Sequence, residues 1–183
     1  MEHIHERAKK VKLLLMDVDG VLTDSIIYHI PDGEGGWTET KGFDSQDGIA
    51  LQWLYWKGIK TGVISGRKSQ AVELRAKQGH MAYCYQGHIE KIPILEEIMN
   101  DCGLASEEIG YIGDDFTDVV LFRRVGLSMA TANARSEVKR AANYVTAAAG
   151  GAGAVREAAE ILLKAQGHWE WILEKYEIGT SDR

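Results

Sequence analysis

Short apolar runs recur along this chain and alternate with stretches of helical pattern. Runs that are apolar at nearly every position suit strands covered on both faces. Lys12-Leu-Leu-Leu-Met16 is the first, and Ile59 to Ile64, Met81 to Tyr85, Ile109 to Ile112, Leu127 to Ala130 and Tyr144-Val145 follow. Between them, helices are expected over Gly48 to Lys57, about Lys68 to Gln78, Lys91 to Cys102, about Thr117 to Val125, a segment before Tyr144, and about Gly153 to Ala165. Pro93 falls in a first helical turn, where proline is tolerated, and Gly58 and Gly79 sit where helices stop. Strand and helix alternating with short connections predict an α/β fold, a doubly wound parallel sheet with helices on both faces. Such sheets place their ligand site at the carboxyl ends of the strands. The residues that should converge are therefore Asp17, Ser65, the segment from Gln86 to Lys91, and Asp114.

One segment breaks the alternation. Ile26 to Ile30 and Trp37 to Thr40 are strand-like and flank a turn-rich stretch, Pro31 to Gly36, which reads as a β-hairpin inserted over about residues 24–43. The chain between Asp17 and Ser65 is too short to insert anything larger than this hairpin. The 183 residues then form a single domain carrying the hairpin and a C-terminal tail, about residues 167–183, with Trp169, Trp171 and Tyr176. Composition narrows the partners. A net charge of −6 argues against nucleic acid and anionic membranes, which reward a basic face. No apolar run approaches the ~18 residues that span a bilayer. The first ten residues do not form a signal peptide, and Cys84 and Cys102 read as free thiols of a reducing compartment, so the expected location is the cytoplasm.

The chemistry lies at the strand ends. In Asp17-Val-Asp-Gly-Val-Leu-Thr23, two carboxylates two residues apart can supply a nucleophile and a proton carrier, and their mutual repulsion calls for a cation, with oxygen ligands favouring Mg²⁺. A calcium loop also opens Asp-x-Asp-Gly, but it needs Glu at its twelfth position, which here is Tyr28. Ser65-Gly-Arg67 offers a hydroxyl and amides to an anionic oxygen, although a plain turn would look the same. Lys91 opens a helix, where the dipole disfavours a cation unless something anionic is near. Gly113-Asp-Asp-Phe-Thr-Asp118 places three carboxylates within five residues, which need neutralising or serve partly as helix caps.

These four motifs, in this order and each beside an expected strand, resemble the haloacid dehalogenase superfamily of phosphatases over roughly Lys12 to Ala165. The resemblance implies a Rossmann-like sheet of that type and the following roles. Asp17 is the nucleophile that forms an aspartyl-phosphate. Asp19 is the general acid and base. Ser65 and Lys91 hold the phosphoryl oxygens. Mg²⁺ is bound by Asp17, Asp114 and the backbone carbonyl of Asp19. Asp115 and Asp118 support either the metal or Lys91. Within the superfamily, Gly20-Val-Leu-Thr-Asp24, the hairpin, Phe43-Asp-Ser-Gln-Asp-Gly48, Ser65-Gly-Arg67 and Gly150-Gly-Ala-Gly-Ala-Val-Arg-Glu157 are similar to the phosphatases of 3-deoxy-D-manno-octulosonate (KDO) 8-phosphate. That narrower likeness implies a phosphorylated sugar acid as substrate, contacted by Asp44, Ser45, Gln46, Asp47, Gly48, Gln52, Arg67, Arg75 and Lys91. It also implies a homotetramer packed through the hairpins, with neighbouring subunits closing each site, and a place in lipopolysaccharide synthesis. Arg67 can pair bidentately with a sugar carboxylate. In the similar nine-carbon sugar-acid phosphatases this position tends to be Glu, which favours the eight-carbon substrate.

Other readings stay open. The same chemistry on another ester, such as a nine-carbon ulosonate 9-phosphate, fits the motifs, and a non-catalytic oligomeric binding module fits the fold. A phosphorelay receiver would place its acidic cluster early and its Lys late, the reverse of what is seen. The six histidines show no metal-ligand spacing. Trp53, Tyr55 and Trp56 read as core or subunit interface, and Trp169 with Trp171 as a strip docking on another subunit.

Overall fold

The computed structural model of the protein describes residues 2–179. In chain order its elements are α1 (Glu2–Ala8), β1 (Leu13–Met16), β2 (Tyr28–Pro31), β3 (Trp37–Thr40), α2 (Ser45–Trp56), β4 (Lys60–Ser65), α3 (Gln70–Gln78), β5 (Tyr83–Gln86), α4 (Lys91–Cys102), a 3₁₀ turn (Ser106–Glu108), β6 (Ile109–Gly113), α5 (Phe116–Phe122), β7 (Leu127–Ala130), α6 (Ser136–Ala141), β8 (Tyr144–Val145), α7 (Ala154–Ala165) and α8 (Trp169–Lys175).

The strands β5-β4-β1-β6-β7-β8 form one parallel sheet in that order. Leu13 lies opposite Lys60 on one side and Ile109 on the other. All four β1 residues are buried, because the strand is covered on both faces. The period-two alternation divides them between two cores. Leu14 and Met16 join Leu51, Leu54, Val155 and Leu162 on the face of α2 and α7. Leu13 and Leu15 join Leu95, Ile98, Leu121 and Phe122 on the face of α4 and α5. The chain builds outward from β1 through β4 to β5, then crosses to β6 and builds the other way. The strand order thus reverses beside β1, where a doubly wound sheet opens its crevice.

Several element ends differ from the expectation for local reasons. Helix α2 begins at Ser45 rather than Gly48 because Asp44 caps it, its Oδ1 accepting from the amides of Gln46 at 2.6 Å and Asp47 at 3.2 Å. Helix α3 begins at Gln70, the Ser69 amide being held by Gln86 Oε1 at 2.8 Å. The Met81 amide bonds back to the Ala76 carbonyl with His80 at φ +52°, so Met81 closes the helix and β5 starts at Tyr83. Residues 2–8, which carry no apolar run, are helical because Ile4 and Ala8 lie against the core that α7 builds.

The hairpin of β2 and β3 forms a separate two-stranded sheet whose first strand is exposed throughout. Its turn is organised by Asp32, whose Oδ1 accepts from the amides of Glu34 and Gly36, both at 2.8 Å. The described part of the tail does not wait for another subunit. Helix α8 folds back so that Trp169 meets Trp53 edge to face at 6.0 Å, Trp171 meets Trp56 at 6.2 Å, and Trp53 Nε1 donates to the Tyr176 hydroxyl at 2.9 Å. This corrects the reading of Trp169 and Trp171 as an intersubunit strip. Residues 180–183 of the expected tail lie outside the described residues.

Candidate active site

The ends of β1, β4 and β6 and the start of α4 enclose a cleft of about 230 Å³, lined by Asp17, Asp19, Ser65, Arg67, Lys91 and Asp114, with Asp115 at its edge. Four motifs spread along the chain from Asp17 to Asp118 thus converge, as strand ends must at the switch point of such a sheet. A larger depression of about 540 Å³ lies beside β5, but it gathers Lys68, Lys77 and Cys84 without a carboxylate cluster. Chemistry, not size, identifies the site.

Asp118 is its hidden centre. It is fully buried, and every acceptor position of its carboxylate is taken. Oδ1 accepts from Lys91 Nζ at 2.7 Å and from the Tyr111 hydroxyl at 2.7 Å. Oδ2 accepts from the backbone amides of Asp114 at 2.9 Å and Asp115 at 3.1 Å. One side chain therefore fixes the lysine and shapes the loop that presents Asp114. Asp115 is exposed and caps α5, accepting from the Phe116 amide at 2.7 Å. The geometry thus assigns the lysine's support to Asp118.

Lys91 is 2% exposed and also reaches Asp17 Oδ1 at 3.0 Å. Burial opposes its charge, but Asp17 and Asp118 outweigh that and hold the ammonium above its ordinary range. The anionic surroundings offset the unfavourable helix-dipole position. Asp17 is pushed up to about 6 by burial and then by the Asp118 charge, against the pull of Lys91. Asp114 is pushed up to about 7 by burial and by the charges of Asp118 and Asp17. Carboxylates in that condition call for a cation.

A divalent ion fits this environment. Carboxylate oxygens of Asp17, Asp114 and Asp118 lie within 4.8 Å of one another. Because the acceptors of Asp118 are spent, the free oxygens belong to Asp17 and Asp114, and Asp114 Oδ1 is buried without a hydrogen-bond partner. At the head of the cleft Asp17, Asp114 and Asp118 share the single ammonium of Lys91, an excess of negative charge that a divalent ion would offset. Hard oxygen ligands of this kind suit Mg²⁺.

The loop after β1 is packed against glycines. A Cβ on Gly20, which has φ +89°, would fall 2.1 Å from Asp114 Oδ2. A Cβ on Gly150 would fall 1.9 Å from the Gly20 carbonyl oxygen, which also accepts from Thr131 Oγ1 and Asn133 Nδ2 at 3.2 Å each. Gly150→Ala is expected to displace this loop, lowering kcat at least about tenfold and stability by about 1–3 kcal/mol, the usual range for overpacking. Steady-state kinetics with thermal unfolding would check it, and wild-type behaviour in both would refute the close-approach argument.

Asp19 lies on the hairpin side of the cleft. Its Oδ1 is paired with Lys41 and its Oδ2 lies 4.0 Å from Arg67 Nε. Arg67 in turn pairs with Glu39 at 3.0 Å. Glu39, Lys41, Tyr111 and Asn133 were missed by sequence reasoning. Burial increases along β3 and just past it, from an exposed Trp37 through a half-buried Glu39 to an enclosed Lys41, a gradient that strand period alone does not reveal.

The remaining expected substrate contacts do not line the cleft of their own chain. Ser45 and Gln46 are exposed in the first turn of α2, and Gln52 is half-buried further along it. Asp47 is wholly enclosed, with Oδ1 accepting from the Arg156 amide at 2.7 Å. It caps α7 across the helix interface, and burial pushes it up to about 6 against that hydrogen bond. Arg75 Nη2 donates to the Asp44 carbonyl at 2.6 Å, and Gly48 lacks the Cβ that would lie 2.7 Å from that guanidinium. Asp44, Asp47, Gly48 and Arg75 thus brace α2, α3 and α7 within the chain. Cys84 and Cys102 are free thiols.

Comparison with known proteins gives a consistent set of relatives. The family profile of haloacid dehalogenase-like hydrolases matches residues 64–157. The 3-deoxy-D-manno-octulosonate 8-phosphate phosphatase KdsC of Salmonella typhi is 38% identical over 165 residues, 90% of this chain and 86% of that protein. A probable YrbI family phosphatase from Pseudomonas syringae superposes with a TM-score of 0.92 at 40% identity, covering 98% of this chain and 99% of that one. The 3-deoxy-D-manno-octulosonate 8-phosphate phosphatase of Moraxella catarrhalis, solved with magnesium, phosphate and KDO, gives a TM-score of 0.90 at 38% identity, covering 96% of this chain and 99% of that one.

Proposed function

The chain belongs to the haloacid dehalogenase-like hydrolases, and from its site we propose that it is a Mg²⁺-dependent phosphomonoesterase that hydrolyses KDO 8-phosphate to KDO and phosphate. The observation that carries this reading is the joining of Asp17, Lys91 and Asp118 at the switch point, with an unpartnered Asp114 oxygen beside them. The 38% identity to KDO 8-phosphate phosphatases over most of the chain supports the substrate.

The chain's own residues do most of the chemistry. Asp17 attacks phosphorus, and the bond from phosphorus to the sugar oxygen breaks as Asp19 gives that oxygen its proton. Asp19 then takes a proton from a water that attacks the aspartyl-phosphate, and the bond from phosphorus to Asp17 breaks to release phosphate. Lys91 and the Ser65 hydroxyl hold the phosphoryl oxygens throughout. Mg²⁺, held by Asp17, Asp114 and the Asp19 carbonyl, would supply charge neutralisation for the phosphoryl group. Arg67 stands half-exposed at the rim, free to exchange Glu39 for a sugar carboxylate.

The proposal extends to a cytoplasmic homotetramer of single-domain chains. The hairpin supports it by exposing Ile26, Tyr28, Ile30 and Trp37, the last at 69%. In such an assembly the accessible residues of the segment from Asp44 to Gly48, Ser45 and Gln46, with Gln52 and Arg75, would meet a neighbour's substrate rather than their own, while the enclosed Asp47 stays structural. No helix among the described residues is long and apolar enough to cross a membrane.

Phosphate release tests the proposal. With Mg²⁺, KDO 8-phosphate is expected to exceed a nine-carbon sugar-acid phosphate and plain sugar phosphates by at least about tenfold in kcat/KM, roughly 1.4 kcal/mol of transition-state binding. EDTA should reduce release to background. Equal rates across the esters would discard the substrate but keep the chemistry, and no release from any ester would favour the binding-module reading.

A further inference from the structure

The hairpin delivers to the cleft a charged side chain that the reaction as described does not use. Lys41 follows β3, and its side chain is 1% exposed. A lysine this deeply enclosed needs a partner, and its ammonium is held against Asp19 Oδ1. The next carboxylate oxygen, Glu39 Oε1, is 3.8 Å away and without a hydrogen bond of its own. Glu39 Oε2 is engaged by Arg67 Nη2 at 3.0 Å. The two Asp19 oxygens are therefore unlike: Oδ1 faces a buried cation, and Oδ2 faces the rim where Arg67 stands 4.0 Å away.

We infer that Lys41 is the positioning residue for Asp19, fixing its carboxylate so that Oδ2 is the oxygen that gives and takes the proton; this rests on the acid and base role proposed for Asp19. An oxygen already accepting from an ammonium is the poorer place for a proton. The opposite oxygen faces the mouth of the cleft, where the sugar must enter. Without Lys41 the side chain keeps its chemistry but loses its fixed rotamer, and proton transfer depends steeply on such geometry. The hairpin thereby acts on the reaction directly, because the strand that carries its exposed face leads straight into the residue that holds Asp19.

The test uses Lys41→Met, which keeps the apolar stem and removes the charge, with Lys41→Gln as a second variant should the first fail to fold. On KDO 8-phosphate, kcat should fall on the order of 10²-fold or more, the usual scale of a misplaced general acid, with KM changed less than about threefold. The discriminating substrate is p-nitrophenyl phosphate, whose leaving group departs without a proton. Rapid mixing should show one equivalent of nitrophenol released per site in a burst, followed by slow turnover, because attack by Asp17 survives while water activation by Asp19 is impaired. Asp19→Asn should give the same burst. If Lys41→Met turns over KDO 8-phosphate like the wild type, or loses the burst together with turnover, Lys41 does not position Asp19. If Asp19→Asn gives no burst while the wild type is active, the failure belongs to the acid and base reading of Asp19 instead.

Discussion

Asp17→Asn is expected to eliminate phosphate release, by on the order of 10⁴-fold or more, while the protein stays folded. The amide keeps the shape of the carboxylate but cannot attack phosphorus, and no other oxygen nucleophile occupies that position at the end of β1. The fold should survive the change: Lys91 loses one of its two carboxylate partners but keeps Asp118 at 2.7 Å, and the loss is offset in part because the ionised Asp17 carboxylate is itself disfavoured by burial. Burial and the Asp118 charge raise Asp17 to about 6, above the ordinary carboxylate value near 4. An acid raised on folding destabilises the native state as pH climbs from the unfolded value through the folded one. For the metal-free wild type that loss falls between about pH 4 and pH 6, and a shift of two units corresponds to roughly 3 kcal/mol. Asp114, raised to about 7, extends the loss toward neutrality. Thermal unfolding in EDTA should therefore show a wild type that is weaker at pH 8 than at pH 5, and an Asp17→Asn variant with a flatter profile. Mg²⁺ should raise the wild-type melting temperature most at pH 8 and raise that of Asp17→Asn less. Substantial turnover by Asp17→Asn would overturn the nucleophile assignment, and equal metal stabilisation of both proteins would overturn the metal's attachment to Asp17.

The fold was legible because β1, β6 and β7 and the second half of β4 are short, largely apolar runs, and such runs admit few arrangements besides a sheet covered on both sides. The convergence of Asp17, Ser65, Lys91 and Asp114 then followed from topology, since each lies at the carboxyl end of a strand or the start of the next helix. What local pattern does not encode is which polar groups meet across the interior. Asp47 looks like a loop carboxylate from its neighbours, yet its partner is the Arg156 amide, 109 residues away. Tyr111 reads as one more apolar strand residue, and only the packed structure shows its hydroxyl beside Lys91 and Asp118. Lys41 follows an exposed hairpin, where a lysine would ordinarily be solvated. Trp169 and Trp171 were visible as an apolar strip, but whether such a strip docks inside or outside its own chain depends on where Gly167, at φ +71°, turns the backbone.

Asp118→Asn should be the most destabilising single change at the site, although it alters one atom. The carboxylate accepts four hydrogen bonds, two on each oxygen, and three of the four donors, the Lys91 ammonium and the two backbone amides, cannot become acceptors. An asparagine keeps one oxygen and puts an NH₂ in place of the other. Whichever way it turns, its NH₂ faces groups that can only donate: either the Lys91 ammonium, beside a Tyr111 hydroxyl that would have to rotate, or the two backbone amides. A buried ammonium also loses half of its charge compensation, and breaking one partner of such a pair costs about 3–5 kcal/mol. For a chain of this size that corresponds to a melting temperature lower by on the order of 10 °C. Activity should fall on the order of 10²-fold or more, because Lys91 is no longer held where the phosphoryl group arrives and the loop carrying Asp114 loses its anchor. Asp115→Asn is the contrast. It touches only the cap of α5, where Asn serves nearly as well as Asp, so its cost should stay below about 1 kcal/mol. Thermal unfolding of the two variants side by side separates the roles. Equal destabilisation would mean that the support of Lys91 is shared between them, whereas a large effect confined to Asp118 would identify it as the group around which the site is assembled.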